Sequence, residues 1–188
     1  WAMTISATAL CRFAPVLLPV LFIAAVSPVA AATPAKPPVP SVEAIPLPLN
    51  PIVGASQRLC NAKSASGLGT LNLKPAHGAK PAKADYVLVN YIGYLAATGA
   101  VFDQNMQAAF PVEGVIPGFS EGLQMMAKGS TWRFCVPAAL GYGAEASGPI
   151  PANSDLVFQV ELVDFKTSAE VEAMRAAQGA QQAAPQGQ

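Results

Sequence analysis

Histidine occurs once in these 188 residues and cysteine three times, and charged side chains make up only 12% of the chain. The single histidine lies in Lys74-Pro75-Ala76-His77-Gly78, a turn context, and reads as a solvated loop residue and not as a ligand or general base. There is no Cys-x-x-Cys and no His-x-x-x-His, so neither a dithiol redox centre nor zinc is indicated, and no cofactor or metal is expected. Gly141-Tyr142-Gly143-Ala144-Glu145-Ala146-Ser147-Gly148 is glycine-rich but lacks the lysine and spacing of a phosphate loop. Hydrolase and dehydrogenase chemistry are disfavoured accordingly. Eleven basic residues balance eleven acidic ones without any Lys/Arg cluster, which argues against a nucleic acid or an anionic membrane surface as partner.

Long apolar runs are also scarce, apart from Phe13 to Val26 near the start. Arg12 precedes that run, no acid lies near it, and Ala30-Ala31-Ala32 follows, which is the pattern of a cleaved export signal over residues 1–32. Pro15, Pro19 and Pro28, with an apolar run of about 14 residues against the ~20 a span needs, disfavour a membrane anchor. Cys11 stands before the run, where lipoprotein acylation does not occur. Residues 33–55, in which prolines recur from Thr33 to Pro51, read as an extended, semi-rigid linker. At the other end, residues 167–188 hold a short helix (Ala169 to Ala177) and then an Ala/Gln-rich tail, Gly179 to Gln188, expected to be disordered. The working domain is therefore residues 56–166 with its N-terminal extension.

Within it, Val115-Ile116-Pro117-Gly118-Phe119 leads from extended chain into a helix. Pro117 suits a first helical turn, Phe119, Leu123 and Met126 recur at i, i+4 and i+7, and Lys128-Gly129 reads as the stop. The first N–H groups of such a helix lack intrahelical partners, so Ile116 stands beside a potential binding site. Tyr86 to Leu95 alternates as a strand, Ala97-Thr98-Gly99-Ala100 is a turn, and Val101-Phe102-Asp103 returns. Thr131 to Val136 puts Trp132, Phe134 and Val136 on one face and Arg133 and Cys135 on the other. Leu156 to Phe165 is the clearest strand and Ser66 to Leu73 a weaker one. Four or five antiparallel strands and one short helix make an α+β domain.

Five segments occur in an order and spacing that resemble the FKBP-type peptidyl-prolyl isomerases: Val89-Asn90-Tyr91-Ile92-Gly93, Val101-Phe102-Asp103, Val115-Ile116-Pro117-Gly118-Phe119, Gly141-Tyr142-Gly143 and Leu156-Val157-Phe158-Gln159-Val160-Glu161-Leu162. The resemblance runs from about Ser66 to Phe165 and points to the exported bacterial branch. It implies a five-stranded, half-wrapped antiparallel sheet around one short helix. It also implies a pocket lined by Tyr91, Phe102, Asp103, Phe110, Val115, Ile116, Phe119, Tyr142 and Phe158, with Tyr91, Asp103, Ile116 and Tyr142 taking part in catalysis. By the same resemblance Phe119 would form the floor, where the family more often has Trp, and Ala108 stands where many members have a second aromatic.

The activity implied is cis/trans isomerisation of X–Pro bonds during folding of exported, periplasmic proteins. The alternative is a weakly catalytic or non-catalytic binding module or chaperone on the same fold. Partners implied are proline-containing unfolded chains and macrolide inhibitors; the signal-free protein is expected to be a monomer away from membranes. In the family's strand order the strand near Ser66 to Leu73 neighbours the one carrying Cys135, so a Cys60–Cys135 disulfide is expected to tie the extension to the domain in an oxidising compartment.

Overall fold

Residues 38–45 and 52–183 are described by the structure, a computed structural model; the expected signal segment, the rest of the proline-rich stretch and the last five residues lie outside them. Two strands carry the sheet, Tyr86–Leu95 and Leu156–Lys166, because both are rich in β-branched and aromatic residues that can be buried on either face. They pair antiparallel from Tyr86 opposite Lys166 to Leu95 opposite Leu156. In chain order the strands are β1 Ala62–Lys63, β2 Gly69–Lys74, β3 Tyr86–Leu95, β4 Val101–Pro111, β5 Thr131–Val136 and β6 Leu156–Lys166, arranged β1-β2-β5-β6-β3-β4 and antiparallel throughout. The sixth strand, one more than expected, is β1, whose two residues are too few to show alternation. β4 also runs to Pro111, well beyond the Val101-Phe102-Asp103 return.

The helix α1, Pro117–Met125, crosses the inner face of the sheet and buries Phe119 and Leu123 there. It stops short of the expected Lys128-Gly129 signal. Met126 already has extended dihedrals and bonds its N–H to the Leu123 carbonyl, yet its side chain is fully buried. The i+7 position thus stays in the core after the backbone has left the helix, which is why periodicity overstates the length. Gly129, at φ 82°, belongs to the following turn and donates its N–H to Leu162. With Val87, Val89, Tyr91, Phe134, Val136, Phe158, Val160 and Leu162, these residues form the main core. Each full burial of a Phe, Leu or Met side chain contributes about 1.5–3 kcal/mol.

The outer face is covered as well, by part of the stretch expected to be an extended, semi-rigid linker. Ile45 is buried against a second apolar cluster with Val53, Ile92, Tyr94 and Val157. Its N–H and C=O both bond the side-chain amide of Gln159, at 2.7 and 2.8 Å. Arg133, fully buried, donates to the carbonyls of Ser41, Leu59 and Glu43. The prolines keep this segment extended, as its composition requires, but its backbone groups are used in docking. The Cys60–Cys135 bond lies on the same face, where Gly69 opposite Cys135 leaves room: a Cβ there would lie 2.8 Å from that of Cys135.

The final helix α2, Ser168–Ala183, is longer than expected and includes Gly179 and the start of the tail read as disordered. Thr167 and Glu170 cap it reciprocally: the Thr hydroxyl accepts the Glu170 N–H, and the Glu carboxylate accepts the Thr167 N–H. The alanines and glutamines that make the tail low in complexity are themselves good helix formers. Among the described residues no helix is long and apolar enough to cross a membrane.

Candidate functional site

Tyr91 is the centre of the inner-face cleft. Its ring contacts Phe110 (5.7 Å between centroids) and Phe119 (6.2 Å), and its hydroxyl donates to the Asp103 carboxylate at 2.5 Å. Phe119 meets Phe158 edge-on at 4.9 Å, and Phe158 meets Phe102 at 5.5 Å. The rings form a chain, Phe110–Tyr91–Phe119–Phe158–Phe102, with Phe119 at its middle and only 4% exposed. Ala108, Val115 and Ile116 are half-buried against the same cluster. All nine residues expected to line a pocket are thus accounted for: seven sit in or beside this ring chain, Asp103 is at its exposed rim, and Tyr142 is 40% exposed near Tyr91.

How β4 delivers three of these residues depends on two irregularities. Val89 pairs with Ala108 but Tyr91 with Asn105, so two steps along β3 match three along β4. Gly93 pairs with Asp103 but Tyr94 with Val101, so Phe102 is a second extra residue. In an unbroken strand Phe110 and Asp103, seven apart, would point to opposite faces. The first bulge reverses the phase and both reach Tyr91; the second lets neighbours Phe102 and Asp103 serve one cleft.

Electrostatics follow from this packing. The Tyr91 phenol is held well above its ordinary pKa, by burial first, then by the hydrogen bond to Asp103, the Asp103 charge and nearby Tyr142. Tyr91 therefore stays a neutral donor at any physiological pH. Ile116 is the N-cap of α1: its carbonyl accepts from Phe119 and Ser120, while its own N–H meets no acceptor among the described residues. Nor does the Tyr142 hydroxyl find a partner among them, so the cleft offers two donors beside an apolar floor.

Gly93, part of the Val89-Asn90-Tyr91-Ile92-Gly93 segment, has a steric role. A Cβ there would lie 2.7 Å from the Phe102 ring and 2.8 Å from that of Phe158. A glycine inside an otherwise apolar strand is the signal for such close approach. The second unforeseen residue is Asn90, on the other face of β3, whose side chain binds the β4 bulge.

Residues 78–163 match the family model described as FKBP-type peptidyl-prolyl cis-trans isomerase. The chain is 44% identical to the "Outer membrane protein MIP" of Legionella longbeachae over 55% of its own length and 46% of that protein's. Among solved structures it is similar to FkpA from Escherichia coli (38% identity, TM-score 0.55, covering 57% of this chain and 52% of that one). It is similar too to a peptidyl-prolyl cis-trans isomerase from Pseudomonas syringae pv. tomato (36% identity, TM-score 0.54, 56% of this chain and 80% of that one). The chain spans about half the length of the curated relatives it matches.

Proposed function

This chain belongs to the FKBP-type peptidyl-prolyl cis-trans isomerases, and from that we propose that it accelerates rotation about X–Pro bonds in exported, unfolded polypeptides. The observation that carries the reading is the Tyr91–Asp103 hydrogen bond at the rim of a cleft floored by Phe119, with the free N–H of Ile116 beside it.

Rotation about an X–Pro bond has a barrier near ~18–20 kcal/mol because it breaks amide resonance, and takes tens to hundreds of seconds unaided. The twisted amide has less charge separation than the planar one. A dry aromatic cleft therefore binds it better than the ground state, which lowers the barrier without any nucleophile. In this reading the proline ring sits on Phe119 between Tyr91, Phe102, Phe110 and Phe158. The Ile116 N–H holds a substrate carbonyl, with Val115 packing beside it, and the Tyr142 hydroxyl holds a second carbonyl. Asp103, fixed by Tyr91, presents its charge to the rotating amide.

Export to the periplasm is supported by the apolar segment Phe13 to Val26 and by the Cys60–Cys135 bond, which suits an oxidising compartment. The same cleft suits a macrolide that mimics the twisted amide. A second reading, a weakly catalytic binding module, draws on Ala108 as a thin wall and on Phe119 as a smaller floor than Trp. Protease-coupled isomerisation of a short X–Pro peptide separates the two. Turnover well above the uncatalysed rate supports the first reading; binding of the peptide without acceleration sinks it and leaves the second.

A further inference from the structure

Asn90 pairs with Glu161 across β3 and β6, and its side-chain amide donates to the Glu161 carboxylate at 2.9 Å. Its side-chain carbonyl accepts the N–H of Gln107 at 2.8 Å. Gln107 sits in the first β4 bulge and has φ 54°, the left-handed region that a residue with a Cβ adopts only when something holds it there. The acceptor that holds it comes from Asn90, which faces away from the cleft, and not from the β-ladder.

We propose that Asn90 is a positioning residue for the isomerase site: its carbonyl pins the bulge at Gln107, with Glu161 fixing the amide, and the phase change at that bulge brings Asp103 and Phe110 onto the face of Tyr91. The reasoning is geometric. Phe110 is on one side of the bulge and Asp103 on the other, and both contact the one tyrosine. If the bulge relaxes, β4 keeps its pairing beside Phe110 and slips at Asp103, or the reverse. Either way one of the two partners of Tyr91 turns to the solvent side. A polar triad on the outer face, Glu161–Asn90–Gln107, thus sets a catalytic geometry on the inner face without touching substrate.

The inference rests on the isomerase reading, but its test has a part that does not. In Asn90→Leu, which keeps size and removes the acceptor, the NMR signal of the Tyr91 ring carbon bearing the hydroxyl should shift as the Asp103 hydrogen bond is lost. Isomerisation should fall about tenfold, the worth of one such hydrogen bond, in kcat with KM unchanged. Exchanging the pair, Asn90→Asp with Glu161→Gln, keeps an acceptor for the Gln107 N–H and reverses the donor sense between positions 90 and 161, so it should restore both signal and rate. Glu161→Ala, which leaves Asn90 in place but untethered, should give a smaller movement of the same sign, and decides the matter if Asn90→Leu does not fold. An unmoved Tyr91 signal in the folded variants overturns the positioning role, even if melting temperature drops. A wild-type chain without isomerase activity would remove the functional reading alone, because the Tyr91 signal reports the geometry directly.

Discussion

The guanidinium of Arg133 donates to the carbonyl of Ser41 at 2.8 Å, a bond that spans 92 residues of sequence and ties the N-terminal segment to the outer face of the sheet. The carbonyls of Leu59 and Glu43 take its other bonds, each at 3.3 Å. Burial lowers the pKa of this arginine, with nearby Tyr94 acting in the opposite sense. A charge removed from water with carbonyl dipoles as its hydrogen-bond partners is kept only if those bonds form. Arg133→Met removes the donor from three carbonyls and should therefore cost about 1–3 kcal/mol, the penalty of leaving buried acceptors unsatisfied. The amides of Ser41 and Ile45, now bonded to the Ser56 carbonyl and the Gln159 side chain, should lose protection from hydrogen exchange. Unaltered denaturation and protection would show that the segment is held by other contacts.

The Cys60–Cys135 bond closes a separation of 75 residues. Loop entropy alone gives about 4–5 kcal/mol for a loop of that size, and native bridges typically contribute about 2–4. Reductant, or Cys60→Ser, should lower the urea midpoint accordingly. It should leave peptide isomerisation nearly unchanged, since the bond lies on the sheet face opposite Tyr91. Loss of activity at full stability would mean that the two faces are coupled.

Tyr94 makes stability fall at high pH. Its hydroxyl bonds the Gln57 carbonyl at 2.6 Å, and burial pushes its pKa up to about 12, partly offset by Arg133 and Arg58. An unfolded tyrosine ionises near 10, so between about pH 10 and 12 the unfolded chain has shed a proton that the folded one retains. The unfolded state then binds fewer protons, and stability is lost as pH rises, by about 2–3 kcal/mol across the window. Tyr91, also raised, acts in the same direction. Denaturation midpoints between pH 8 and 12 should decline more gently in Tyr94→Phe, from a lower start because one hydrogen bond is gone. An identical slope would exclude Tyr94 as a source.

Asp103→Ala and Tyr142→Phe each remove one hydrogen-bonding group from the rim of the cleft. A hydrogen bond is worth about 0.5–3 kcal/mol depending on charge, so isomerisation should fall roughly threefold to a hundredfold. Tyr142 is exposed, so melting of Tyr142→Phe should barely change, whereas Asp103→Ala leaves the buried Tyr91 hydroxyl without its acceptor and should melt somewhat earlier. Full turnover in both variants would take this rim out of the mechanism.

The central strands were legible because β3 and β6 are long runs rich in β-branched and aromatic residues, and α1 because Pro117 and the Phe119–Leu123 spacing mark it. β4 was not, beyond Asp103. Its two bulges put Phe102, Asp103, Ala108 and Phe110 toward one face out of phase, and a period-2 reading discards such a stretch. The docked segment 38–45 escaped for another reason. It uses backbone carbonyls and one buried side chain, Ile45, and leaves no periodicity to read. Alternation puts Arg133 on the face opposite Trp132 and Phe134, and the docked segment covering that face makes it an interior charge. The pocket residues came from resemblance to a family, not from spacing, since they are spread over three strands, one helix and two loops.

Gly93→Ala tests how closely the cleft is fitted. The added methyl would meet the rings of Phe102 and Phe158 at 2.7 and 2.8 Å, well inside contact distance, so one ring must move. Phe158 is pinned against Phe119 at 4.9 Å and lies in a central strand, whereas Phe102 is the bulged residue of an edge strand. Phe102 should therefore yield, swinging outward and opening that wall of the cleft. Overpacking of this kind costs about 1–3 kcal/mol, and an edge position that can relax belongs at the lower end. Isomerisation should suffer more than stability, because loss of the wall admits water to a site whose advantage is dryness. We expect a fall of about tenfold in kcat/KM, equivalent to about 1.4 kcal/mol of transition-state binding. Phe102→Ala, which removes the wall without overpacking, should reproduce the loss of rate. If Gly93→Ala melts much earlier yet turns over normally, the rings pack for the core and not for the substrate.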